Sequence, residues 1–142
     1  MKRIAILTAL ALFLSFRVAA AESQVEIMQF RDAKAGVASF LVKRSQLDAL
    51  PRWNERKGDP PLSQRQAVDI ALAELKRRHL ALESLELRSV TLTRINDVSV
   101  EGLWFYGVTF SPVAGGVTNP YWKSMVLVLT DGSVVNPVIR AQ

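Results

Sequence analysis

Residues 63–80 read SQRQAVDIALAELKRRHL, and residues 85–95 read LELRSVTLTRI. The spacing of apolar residues changes between the two stretches, and that change decides the fold class. In the first, Val68, Ala71, Leu72 and Leu75 recur at i, i+3, i+4 and i+7, lining one face of an amphipathic helix. Ser63 suits the N-cap, and Gln66 three residues on completes a capping box worth about 1 kcal/mol. Lys76, Arg77 and Arg78 fall where the helix dipole favours cations. In the second stretch the period is 2, that of a strand. Its apolar phase slips between Leu87 and Val90, which predicts a β-bulge near Arg88-Ser89.

Working outward, Val25–Phe30 and Val37–Lys43 read as strands joined through Ala35-Gly36. SQLDAL (45–50) predicts one helical turn capped by Ser45 and halted by Pro51, and PRWNERKGDPP (51–61) predicts a polar loop. Beyond the helix, Asn96-Asp97 marks a turn, and residues 102–110 and 123–130 read as strands. Asp131-Gly132 predicts a two-residue type I′ hairpin, because both central positions need positive φ. Residues 133–139 form a last strand, which Pro137 assigns to a sheet edge. The order β-β-α-β-β-β-β, with short connections, predicts an α+β fold. One long helix packs on a curved antiparallel sheet of four to six strands.

Residues 1–21 predict a secretory signal peptide. Lys2 and Arg3 precede the apolar run Ile4–Phe16, and Ala19 and Ala21 suit cleavage before Glu22. The run is shorter than the roughly 20 apolar residues of a membrane span, and Arg17 closes it. The expected location is therefore the periplasm or the outside of the cell, with residues 22–142 as a single α+β domain and no membrane span after cleavage. Cleavage removes Lys2, Arg3 and Arg17, three of the five units of net positive charge, and leaves a near-balanced surface. Such a surface gives no long-range steering toward nucleic acid. About 120 residues bury a core without staples. That matters because the chain has no cysteine.

Ser63 opening a helix with Ala67 and Ala71, the strand Trp104-x-Tyr106-x-Val108, and VLVLTDGSVV (126–135) together resemble a PepSY-type domain over roughly residues 62–139. The layout Pro51, Trp53 and Pro60–Ser63 is also similar to that of uncharacterised secreted bacterial proteins. The resemblance implies a cystatin-like α+β shape and, since the family is linked to restraint of peptidases, a restraining role. It carries no catalytic motif to transfer. The insert at 111–122 and the adjacency of Asp131 and Gly132 depart from the family pattern.

No constellation in the chain supplies catalysis. His79 is the only histidine, no thiol exists, and no G-x-S-x-G elbow is present. Glu83, Glu86, Asp97, Glu101 and Asp131 show no motif spacing and read as solvated surface. One histidine cannot hold zinc, and TDGS lacks the oxygen ligands of a calcium loop. No cofactor or metal is predicted.

Two regions remain as partner contacts. One is Arg52–Lys57, where Trp53 stands among basic residues, although the reading favoured for Trp53 is packing over the helix end. The other is Tyr121-Trp122, at the end of the long 111–122 connection. Phe105 is the last candidate. In GLWFYGVTF (102–110) alternation assigns Trp104, Tyr106, Val108 and Phe110 to the helix-facing core. Phe105 then lies on the outer face, either covered by the N-terminal segment, the favoured reading, or free to meet a partner. The expected function is a non-catalytic exported interaction module that meets another exported protein, with restraint or inhibition of a periplasmic or extracellular enzyme as the role the resemblance implies. The alternative is a small-molecule carrier with a pocket between sheet and helix.

Overall fold

A computed structural model of the chain describes residues 21–78, 85–96, 101–112 and 121–141, without the side chains of Pro112 and Tyr121. The expected leader, His79, Asp97 and most of the 111–122 connection lie outside the described residues. The strands are β1 (Gln24–Asp32), β2 (Gly36–Lys43), β3 (Leu85–Arg94), β4 (Trp104–Pro112), β5 (Met125–Leu129), β6 (Val134–Val135) and β7 (Pro137–Arg140). The helices are α1 (Arg44–Ala49) and α2 (Gln64–Arg77), with single 3-10 turns at Glu55–Lys57 and Tyr121–Ser124.

The fold is α+β. Its strands are divided between two antiparallel sheets, ordered β1-β2-β7 and β3-β4-β5-β6. β5 shows why the sheets pack as layers. All five residues of MVLVL are buried. Val126 and Val128 meet α2 through Ala67, Ala71 and Leu75, while Met125, Leu127 and Leu129 join Phe40, Val42, Leu47 and Phe105 on the other face. A strand with no polar position needs cover on both faces, and α2 supplies one side while the β1-β2-β7 sheet with α1 supplies the other.

Ser63 caps α2 as the sequence predicts. Its hydroxyl accepts from Gln66 N at 3.2 Å, and Gln66 Oε1 accepts from Ser63 N at 3.0 Å. The buried face centres on Ala67, Ala71 and Leu75, with Val68 and Leu72 half-buried at its margin. Alanines let the helix approach the sheet closely, which rotates the stripe away from Val68 and Leu72. The bulge in β3 is present, between Leu87 and Ser89. A second bulge, at Ile27, lets Val25 and Ile27 and then Met28 and Phe30 turn to the same core.

Several local expectations are corrected. Helix α1 starts at Arg44 with no side-chain cap, and Ser45 instead donates a hydrogen bond to Glu22. Its end follows the prediction: Leu50, before Pro51, is extended at ψ 145°. The Asp131-Gly132 hairpin is a three-residue connection. Leu129 N donates to Ser133 O at 2.8 Å, Gly132 N donates to Leu129 O at 2.9 Å, and Gly132 takes the left-handed region at φ 87°. The expected last strand divides at Asn136. β6 pairs with β5, and β7 pairs with β2 with Pro137 opposite Phe40 at the start of an edge strand. One short segment thus ties the two sheets together.

Candidate functional site

Trp53, Phe105, Tyr121 and Trp122 are the contact residues that the sequence suggests, and they take different places. Phe105 is 1% exposed, packed between the sheets with Phe40, Leu127 and Leu129. It is covered, within the core that β1, β2 and α1 close, and offers no exposed ring. Trp122 is 4% exposed and belongs to the same core. Its position beside a loop gave no sign of this in the sequence. The side chain of Tyr121 lies outside the described residues. Trp53 remains, half-buried at the surface.

Trp53 makes its contacts among the described residues with the start of β4 and with its own loop. It packs edge-to-face on Trp104, with centroids 5.2 Å apart and an interplanar angle of 69°. Trp104 is therefore at the rim of the molecule, half-buried, while Tyr106, Val108 and Phe110 face α2 as expected. Trp104, expected in the helix-facing core, stands outside the cluster that packs on α2.

Pro51 turns the chain out of α1, and the loop that follows is strapped to the β3–β4 end. Trp53 N donates to Gly102 O at 2.9 Å, and Trp104 Nε1 donates to Trp53 O at 3.1 Å. Gly102 has φ 77°, and a Cβ there would stand 3.3 Å from Trp53 O, so glycine permits the close approach. Trp53 Nε1 donates to Gly58 O at 3.0 Å, holding the loop's far end. Asn54 Oδ1 accepts from Arg56 N at 2.9 Å and caps the 3-10 turn of residues 55–57.

Between this strap and the ends of β3 and β4 lies a cleft of about 610 Å³. The two indoles form part of its wall. Arg52, Arg56, Lys57 and Arg94 bring four cations to it, against the carboxylates of Glu55 and Glu101. All six side chains belong to exposed residues. Among the described residues, none of the four cations forms an ion pair. The sequence shows the 52–57 half of this cleft. Arg94, Glu101 and Trp104 come to it only through the β3–β4 pairing of Arg94 with Trp104, some forty residues away in the chain.

A second cluster was not foreseen. Glu74 is 8% exposed on the sheet side of α2. Its Oε1 accepts from Arg77 Nη2 at 2.7 Å and from Arg78 Nε at 2.9 Å, and its Oε2 accepts from Arg77 Nε at 2.8 Å. The hydrogen bond from Arg77, and then that from Arg78, hold the Glu74 carboxyl below its ordinary value against the opposing effect of burial. Arg78 also donates to Met125 O at 3.3 Å and to Asn136 Oδ1 at 3.0 Å. The cluster joins the helix end to β5 and to the crossing between sheets, which makes it structural. The signal was present as Glu74, Arg77 and Arg78 at i, i+3 and i+4.

The helix–sheet interface is filled at its centre by Ala67, Ala71, Leu75, Tyr106 and Val108, and Tyr106 Oη donates to Leu62 O at 2.7 Å. At its margin a groove of about 380 Å³ opens between Pro60–Gln64 and Val90, Leu92 and Tyr106. Among the described residues no group of three or more His, Cys, Asp or Glu is placed to hold a metal ion, and no helix is long and apolar enough to cross a membrane. No known protein family, curated protein or solved structure matches the chain.

Proposed function

We propose that the chain is a non-catalytic exported interaction module that binds another exported protein and restrains it. The leader pattern of residues 1–21 supports export, and the PepSY-like residues support a restraining role. One observation carries the reading: the surface holds a preformed cleft whose cations have no partner within the described chain. Folding gains little from such an arrangement, since four cations gathered against two carboxylates leave a net positive charge that repels itself. A partner surface gives it a use.

The test is site-specific photo-crosslinking in a periplasmic extract, with the crosslinker at Lys57 in the cleft or at Lys76 on α2. The module reading expects a discrete adduct from Lys57 alone. No adduct, or the same adducts from both positions, contradicts it.

A second reading, a small-molecule carrier, draws on the groove beside Tyr106, whose volume lies within the usual range for ligand sites. An apolar fluorescent probe displaced by Leu92→Trp would favour it over the module.

A further inference from the structure

We propose that the cleft between the 52–57 strap and the β3–β4 end takes an acidic peptide segment, whose carboxylates meet Arg52, Arg56, Lys57 and Arg94. This rests on the reading of the chain as an interaction module and names the chemistry of its partner.

Three features select the ligand class. The first is charge. Four cations face two carboxylates, so an anionic ligand gains, and arginine binds carboxylates through a planar fork. The second is the presence of Glu55 and Glu101. They repel a ligand that is anionic along its whole length, such as a phosphodiester backbone. A peptide is different, because its backbone N–H groups are donors that those carboxylates accept between its own acidic side chains. The third is the tryptophan pair. Sequence-tolerant nucleic-acid binding uses open aromatic faces on which bases stack. Here Trp53 and Trp104 pack on each other edge-to-face, and both indole N–H groups are spent on carbonyls of the chain. The indoles serve as a rigid wall that fixes the strap and, through it, the positions of Arg52 and Arg56.

Preorganisation gives the cleft its advantage. The strap is fixed by Trp53 N on Gly102 O, Trp104 Nε1 on Trp53 O and Trp53 Nε1 on Gly58 O. Binding therefore orders the peptide and a few side chains, not the loop.

The experiment is a fluorescence-anisotropy titration of the mature chain with a labelled short peptide alternating glutamate and glycine. The same peptide with glutamine for glutamate and a labelled oligothymidylate are run beside it. The proposal expects the glutamate peptide to bind and both comparison probes to bind at least about 10-fold more weakly. Raising ionic strength from about 0.1 M to about 1 M shortens the screening length from about 10 Å to about 3 Å and weakens the peptide severalfold. Combined Arg56→Glu and Arg94→Glu weakens it by about 10-fold or more. Combined Arg65→Glu and Lys76→Glu on α2 changes the net charge equally and leaves binding within about twofold. Equal binding of the glutamine peptide, tighter binding of the oligothymidylate, or equal losses from both double variants overturns the proposal. If the Lys57 crosslink forms while the glutamate peptide fails to bind, the module reading stands and the acidic assignment falls.

Discussion

At the scale of the residue, Glu74 shows how a side chain can be legible in kind and illegible in place. Its i+3 and i+4 partners are plain in AELKRRHL, but the helical stripe of apolar residues gives no reason to place a carboxylate on the sheet side. It goes there because Arg77 and Arg78 close over it, and because Arg78 continues to Asn136 and the Met125 carbonyl. Those last two contacts are long-range and lie beyond any local pattern. The pH dependence follows from the lowered carboxyl. A group held below its ordinary value of 4.5 contributes stability that is fully present above that value and is lost as pH falls through the depressed one. Glu74→Gln keeps the shape and removes the charge, so it costs about 2 kcal/mol near neutrality, the scale of hydrogen bonds to charged groups. Urea unfolding at a series of pH values checks this: the gap between parent and variant narrows below about pH 4.5. A gap that stays constant into acid contradicts the ionic role of Glu74.

At the scale of the element, the segments governed by local chemistry were readable and their partners were not. The capping box of α2 and the bulge in β3 follow from neighbouring residues, and both occur where the sequence places them. The bulge in β1 carries the same phase slip, at Ile27-Met28, in a strand too short to make it obvious. The division of residues 133–139 was not readable. β6 and β7 look like one run, and only the demand of a second sheet for an edge sends Pro137 onward to β2. The hairpin before them makes a prediction of its own. Gly132 sits at φ 87°, and a Cβ there would meet Ile70 Cδ1 at 3.4 Å. Gly132→Val strains the backbone and crowds α2, and lowers stability by about 2 kcal/mol. Gly132→Asn costs less, since Asn tolerates the left-handed region. Thermal melts of the two variants check the order, and an unchanged midpoint for the valine variant refutes the turn.

At the scale of the whole molecule, β5 lies between α2 on one face and the β1-β2-β7 sheet on the other, and the apolar aromatics divide accordingly. Phe105 and Trp122 are drawn into the inter-sheet core, with Trp122 also reaching the floor of a surface groove beside Arg77 and Arg78, because two sheets enclose more than the one that sequence alternation implies. What remains at the rim is the strapped cleft, where Trp53 and Trp104 stand among four cations that form no ion pair among the described residues. The three tryptophans of the chain therefore report on two places: Trp53 and Trp104 on the cleft, Trp122 on the core beside the Arg77–Arg78 end of the molecule. The most direct measurement is two-dimensional NMR of the indole N–H groups during titration with the glutamate peptide. The account predicts progressive shifts at Trp53 and Trp104, with Trp122 unmoved. Shifts at Trp122 alone, or none at the two cleft indoles at saturating peptide, would contradict it.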